Sequence, residues 1–477
     1  MKDNNPNIEM DAILAKQKEA NLRDGIPSVN KRIDLIDRTI DLLVTHCDQL
    51  CEAVCEDFGH RSIDQSKMTD VAASIMALKY AKKHLKKWMK PEKRSVDFPL
   101  GLLGAKARLV YQPKGVVGVI SPWNFPIGLT FTPLAGIFAA GNRAMIKTSE
   151  YTPRTSELTS TLVSEYFDEE ELVVVTGGPE VGAQFSQLPF DHLLFTGATS
   201  IARHVMRSAA DNLVPLTLEL GGKSPVIISK SADMEKTANR IMSGKTLNAG
   251  QICLAPDYVF VHESNMKELI VEMKNAVESM YPDGLKENDD YCSMVNEPHF
   301  QRINGYIEEA KNSSAEVIQI NSKSEHFADQ KHHKIPPTLI VDAPDNITAM
   351  QDEIFGPVLP IKPYTDIQEA INYVNSRPRP LALYYFGDDK VEENQVIKDT
   401  ISGGITINDV IFHVGQEDLP FGGIGDSGMG VYHGFDGFKE FSHQKAIYSQ
   451  IGSEVLAMIR PPFGDKYRKL VGRYIKK

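Results

Sequence analysis

The stretch His192–Leu220, HLLFTGATSIARHVMRSAADNLVPLTLEL, reads as one complete β-α-β unit. Two short apolar runs, His192–Thr196 and Leu216–Leu220, flank a helical stretch at Thr199–Ala210. Short buried strands alternating with helices of that length imply a mostly parallel sheet. The same alternation extends upstream through Val116–Ser121, Ala144–Lys147 and Leu172–Thr176, with a helix at Pro153–Tyr166. Beyond Gly221-Gly222 a second series follows: Pro225–Ser229, a helix from about Asp233, Asp257–His262, a helix from about Ser264, then Leu339–Val341, Val358–Lys362 and Gly404–Asn408. Two α/β domains joined near residue 220 are expected. Residues 9–90 read as helical, with apolar positions at Ile33, Leu35, Ile36, Ile40 and Leu43. The Pro- and Gly-rich stretch 91–113, with a short alternating run at 107–112, reads as a hairpin excursion.

A chain of 477 residues has room for about three domains and a large core. There are 52 basic and 63 acidic residues, for a net charge of −11. That argues against a broad nucleic-acid surface. Five cysteines, an odd number, do not make a disulfide framework, so a cytoplasmic, reducing compartment is expected. The N-terminus has no signal-peptide core. The most apolar region, Gly115–Gly141, is interrupted by prolines and polar residues, so no integral membrane segment is expected. Residues 460–477 form a basic tail with seven Lys or Arg and one Asp.

Several motifs sit where strands end. Gly197, Ala198, Thr199 and Ser200 run from a strand into a helix, where backbone N–H groups can meet a pyrophosphate; an ordinary βα turn reads equally well. Lys147 and Glu150, directly after another strand, could reach ribose hydroxyls or form a solvated loop pair. Asn124 lies between Trp123 and Phe125, with prolines on both sides; its amide could serve a developing oxyanion or cap a turn. Glu219 precedes two glycines at a strand's end, as a general base facing a cleft would, or simply alternates outward. Cys253 follows Gly250-Gln251-Ile252 in a turn, the setting of a nucleophile or of an inert buried thiol. Cys47, Cys51 and Cys55 are four apart on one helix; with three ligands spread along it, packing is the better reading than a metal. No role is assigned to Cys292, and no histidine pair has metal-ligand spacing.

In this order and spacing the motifs resemble the NAD(P)-dependent aldehyde dehydrogenase superfamily. The matching pieces are PWNFP at 122–126, KTSE at 147–150, FTGATSIA at 195–202, LELGGKSP at 218–225, GQIC at 250–253, EIFGPV at 353–358 and PFGGIGDSGMG at 420–430. Residues 253–258 (CLAPDY) and 430–434 (GVYHG) are similar to the class 3 branch, and residues 404–423 to bacterial coniferyl-aldehyde dehydrogenases. The resemblance implies an α/β fold with three parts. A Rossmann-like cofactor domain would span 1–92 and 114–219, and an α/β catalytic domain 220–441. A small β oligomerisation flap would span 93–113 and 442–452, ahead of the basic tail 453–477. It implies a homodimer that oxidises an aldehyde, aromatic such as coniferyl aldehyde or medium- to long-chain aliphatic, to the acid with NAD, NADP being possible, and without a metal. Cys253 would be the nucleophile, Asn124 and the Cys253 N–H the oxyanion donors, and Glu219 the base. Lys147 and Glu150 would hold the adenine-side ribose and Gly197–Ser200 the pyrophosphate. Trp123 and Ile201 would pack at the cofactor, with Glu353 and Phe355 placing the nicotinamide ribose and ring. A coenzyme A-acylating relative, a reductive relative and a non-enzymatic protein of the same fold are the alternatives. The presence of both Glu219 and Cys253 speaks against each.

Overall fold

The computed structural model describes residues 6–98, 100–452, 454, 457 and 459–475. Residues 1–5 of the expected cofactor domain lie outside the described residues, as do Lys476 and Lys477 of the tail. The chain forms two compact units, residues 1–88 with 113–442 and residues 89–112 with 443–477.

The larger unit opens with helices Pro6–Asp24, Val29–Thr45 and Cys47–Asp57, and with Ala73–Trp88 after a π-helical turn, Lys67–Ala72. The second helix starts where sequence rules place a start: the Ser28 side chain accepts from Lys31 N. It buries Leu35, Ile36, Thr39, Leu42 and Leu43 along one face.

Two sheets follow. In the first, strands lie in the order Gly428–Met429, Leu216–Leu220, His192–Gly197, Val116–Ile120, Arg143–Lys147 and Leu172–Val175. All are parallel except the first, which runs antiparallel to Leu216–Leu220. The chain builds outward from Val116–Ile120 and then returns to its other side with His192–Gly197. Ligands bind at such a reversal, outside the carboxyl ends of the strands. The segments leaving those two ends carry Trp123-Asn124 and Ala198–Ile201. The second sheet runs Glu316–Gln319, Thr338–Val341, Val358–Tyr364, Tyr258–His262, Pro225–Ile228, Ala382–Phe386 and Gly404–Ile407, parallel except at its first pair.

Several elements were not read from the sequence, and three of them show why. Glu316–Gln319 is a half-exposed edge strand of four residues. Ala382–Phe386 is buried throughout, so it has no alternation. Gly128–Ala140, inside the apolar run, is a helix buried on nearly all sides, so no polar face marks its period. No helix among the described residues is long and apolar enough to cross a membrane.

In the smaller unit, Glu92–Arg94 pairs antiparallel with Lys106–Pro113, Glu92 facing Leu109. Ser442–Ser449 lies on the other side of Lys106–Pro113. A helix, Asp465–Tyr474, carries part of the basic tail and has no buried residue.

Candidate active site

The nucleophile candidate owes its place to an unusual turn. Helix Met234–Thr246 ends at Leu247–Gly250, where Asn248, Ala249 and Gly250 adopt φ values of 49°, 49° and 74°. Three successive left-handed residues reverse the chain tightly. Glycine is required last, because a Cβ there would lie 2.4 Å from the Gly356 carbonyl oxygen. Gln251 locks the turn: its amide donates to Asn248 O (2.9 Å) and Ser293 O (3.0 Å) and accepts from Val295 N (3.0 Å). Cys292, to which the sequence assigned nothing, packs behind the turn; its thiol donates to Asn248 Oδ1 (3.3 Å).

Cys253, half-buried, follows this turn. Burial, then the charges of Glu219 and Glu353, push its thiol well above the ordinary range, while its own backbone N–H pulls the other way. Glu219 is 1% exposed, and neither carboxyl oxygen has a hydrogen-bond donor in good geometry. Burial raises its pKa to about 7, against the opposing influence of the nearby Cys253 thiol. Its strand is closed on one side by the glycine-rich segment, with Gly428 opposite Glu219 and Leu220 N donating to Ser427 O. Asn124 is buried, and its Nδ2 donates to Gln251 O (3.1 Å). That bond uses one of two amide hydrogens. The fold thus gathers Asn124 and Glu219 from the first sheet and Cys253 from the turn that precedes Tyr258–His262 of the second.

Glu353 joins this group. Its carboxyl accepts from Gly222 N, while Oε1 is buried without a partner. Burial, then the Asp257 charge, push it up to about 8. A Cβ on Gly221 would lie 2.1 Å from Oε1, which explains the glycine. Phe355, two residues on, has φ 48°, and Arg302 donates to the carbonyls of Ile354 (2.8 Å) and Phe355 (3.4 Å). The Trp123 ring meets Phe355 edge-on at 5.4 Å and lies 5.1 Å from His299.

The remaining expected residues sit at the ends of neighbouring strands. Lys147 is buried and donates to Thr148 O; burial lowers its pKa, and Glu150 opposes that. Glu150 is exposed. Gly197 closes its strand, and Ala198 opens helix Thr199–Ala210 with no side-chain cap, leaving first-turn N–H groups for another acceptor. Thr199 Oγ1 donates to Asp426 O (3.0 Å). Ser200 is exposed, and Ile201 is 51% exposed. An uncapped helix start, an orphaned buried carboxyl oxygen and a tryptophan beside a phenylalanine suit a dinucleotide's pyrophosphate, ribose and ring.

Arg61, Asp70 and Arg302 lie outside every motif named above, and Asn248 and Lys223, beside or within those motifs, had no role assigned to them. Lys223 forms an ion pair with Asp257, whose other oxygen accepts from Ile354 N (2.9 Å). The LELGGKSP and CLAPDY motifs are thereby tied together.

Residues 8–447 match the model of the aldehyde dehydrogenase family. The chain is 57% identical to a probable coniferyl aldehyde dehydrogenase of Caulobacter vibrioides, over 98% of this chain and 97% of that one. It is 51% identical to the coniferyl aldehyde dehydrogenase of a Pseudomonas strain, over 97% and 95%. A Mycobacterium tuberculosis aldehyde dehydrogenase complexed with NAD+ superposes with a TM-score of 0.83 at 26% identity, over 94% and 91%. With a match that spans nearly the whole chain, the protein belongs to the aldehyde dehydrogenase family and is an oxidoreductase that acts on aldehydes with a nicotinamide cofactor.

Proposed function

We propose that this enzyme oxidises coniferyl aldehyde to the carboxylic acid with NAD, through a thioester on Cys253 that Glu219 helps to hydrolyse. The observation that carries this reading is Glu219 itself: a buried carboxyl with both oxygens free, titrating near pH 7 beside a thiol. A general base is most effective with a pKa near the working pH. An acylating enzyme that hands its thioester to coenzyme A has no need of such a base.

Glu219 helps to take the Cys253 proton and passes it on to solvent, so that its carboxylate is restored before water attacks the thioester. The thiolate adds to the aldehyde carbon, and the oxyanion is held by the free Asn124 amide hydrogen and the Cys253 backbone N–H. The nicotinamide, when bound, supplies the hydride acceptor. Cys253 then carries the acyl group as a thioester. Glu219 accepts a proton from the attacking water, and the acid leaves with the thiolate restored.

Lys147 and Glu150 are assigned to the adenine-side ribose, Gly197, Ala198, Thr199 and Ser200 to the pyrophosphate, and Trp123 and Ile201 to packing against the cofactor. Glu353 is assigned to the nicotinamide ribose and Phe355 to its ring. The carboxylate of Glu150 would repel a 2′-phosphate, which favours NAD over NADP. In the same reading, residues 1–92 and 114–219 bind the cofactor and 220–441 bear the chemistry. Residues 93–113 and 442–452 serve a homodimer. The five unpaired cysteines suit a reducing cytoplasm. The names of the relatives support the coniferyl substrate.

The test is a panel of coniferyl aldehyde, benzaldehyde, hexanal and decanal with NAD and NADP, with and without coenzyme A. Coniferyl aldehyde with NAD should give the highest kcat/KM, and coenzyme A should change nothing. Glu219→Gln should cut steady-state turnover by about 10²- to 10⁴-fold. It should keep a burst of NADH, slowed at low pH and recovered at high pH, and an acyl adduct on Cys253, while Cys253→Ala abolishes both. A faster aliphatic substrate would sink the coniferyl assignment, and acyl-coenzyme A as product would sink hydrolysis.

A further inference from the structure

None of the chemistry above uses the helical region before residue 88, yet two of its charged side chains reach the Asn124 loop. Arg61 and Asp70 are both 0% exposed and form an ion pair, Nη2 to Oδ2, at 2.6 Å. Burying two charges is expensive, and an apolar pair often serves stability equally well. The other bonds of this pair suggest what it is for. Arg61 Nη1 donates to the Asn124 carbonyl at 2.8 Å. Asp70 Oδ1 accepts from Ile127 N (3.2 Å) and Gly128 N (2.9 Å), the start of the helix that follows the loop. The Arg61 guanidinium also lies over the Phe125 ring, 4.9 Å from its centroid. One ion pair therefore holds the backbone of residues 124–128.

Local structure is bent to allow this. Asp70 lies in the π-helical turn Lys67–Ala72, and such turns re-aim side chains, often at functional sites. Gly128 packs closely on this turn: a Cβ there would lie 3.3 Å from Thr69 O and 3.4 Å from Asp70 Oδ1. The Asn124 carbonyl is shared, because Asn248 Nδ2 also donates to it (3.0 Å) and to Gln251 O (3.1 Å). Gln65 then accepts from Asn248 N (3.0 Å), so one short segment, 61–70, braces both the Asn124 loop and the turn before Cys253.

We propose that the buried Arg61–Asp70 pair is a positioning device that fixes the Asn124 main chain so that its amide keeps its aim at the aldehyde oxygen bound at Cys253. The proposal rests on the oxyanion role given to Asn124. A positioning residue acts only through the group it positions, and a double-mutant cycle reads that dependence directly.

The measurement is the rate of the NADH burst at saturating NAD, with the best aldehyde of the panel. It is normalised to burst amplitude so that only folded, active sites count. Four forms are compared: wild type, Asp70→Asn, Asn124→Ala and the double variant. Asn124→Ala should slow the burst by about 10²- to 10³-fold, the usual effect of losing one oxyanion donor. Asp70→Asn should slow it about ten- to a hundredfold through misaim. In the Asn124→Ala background the same change should have almost no effect. Arg61→Lys, which keeps the charge but loses the two-pronged fork, should repeat the pattern and replaces Asp70→Asn if that variant does not fold. An equal loss from Asp70→Asn in both backgrounds overturns the proposal, as does an unchanged burst in Asp70→Asn alone. An unchanged burst in Asn124→Ala overturns the oxyanion role itself, and the inference with it.

Discussion

A carboxyl sealed from water with no donor on either oxygen is costly when ionised, and Glu219 is such a group. Its pKa rises from 4.5 to about 7 on folding. Between those values the folded chain binds more protons than the unfolded chain, so stability falls as pH rises through this window. The contribution is fully present below about pH 4.5 and gone above about pH 7. A shift of this size corresponds to about 3 kcal/mol. Glu219→Gln removes it, so the variant should gain stability relative to wild type by about that amount between pH 4.5 and pH 8, while it loses turnover. Thermal unfolding of both forms across that range is the check. Parallel pH profiles would mean that Glu219 is not buried in its charged state. Glu219 and Cys253 stood out as candidates because Gly221-Gly222 follows the one and Gly250 precedes the other, but only their order and spacing among the other motifs favoured a catalytic reading. Arg61 and Asp70 did not stand out, because they act through backbone groups more than fifty residues away and leave no spacing to read.

At the scale of an element, the turn Leu247–Gly250 concentrates the strain of the site. Asparagine tolerates the left-handed region, alanine much less, and glycine freely. Gly250→Ala should cost about 1–3 kcal/mol from backbone conformation. The clash with the Gly356 carbonyl adds to that, because a backbone atom cannot swing aside. Ala249→Gly, at φ 49°, should instead keep or raise stability. Urea unfolding of the two variants gives the comparison, and equal losses would show that the left-handed conformations carry no strain. A displacement of about 1 Å at Cys253 would also slow acylation about 10²-fold. The GQIC motif marked this turn in the sequence, but its shape was hidden, because no pattern of apolar residues encodes three left-handed residues in a row. Helices Pro153–Tyr166 and Thr199–Ala210 were legible to the residue, since an apolar face and flanking strands bound each. The fully buried Ala382–Phe386 strand and Gly128–Ala140 helix were not, for want of a polar face.

At the scale of the whole molecule, the alternation of strands and helices was enough to expect two parallel sheets. Their antiparallel edges, Gly428–Met429 and Glu316–Gln319, were too short to announce themselves. The smaller unit poses the remaining question. Its sheet has three strands, in the order Glu92–Arg94, Lys106–Pro113, Ser442–Ser449, so Ser442–Ser449 is an edge. Its residues are mostly exposed. An edge of eight residues is a template for another strand, and proteins usually blunt, cover or pair one of that length. A homodimer joined edge to edge would use the backbone groups that Ser442–Ser449 turns away from Lys106–Pro113. Sedimentation equilibrium should then give twice the chain mass of 53.0 kDa. Successive residues of a strand send their N–H groups to opposite sides, and proline has none to give. Of Ala446→Pro and Ile447→Pro, one should therefore spare the pairing within the chain, block the outer edge and sediment as a monomer with unchanged circular dichroism. The other should disturb the three-stranded sheet itself. If both variants remain dimers with native spectra, the dimer is built on some other surface, and a wild-type chain that sediments as a monomer removes the dimer altogether.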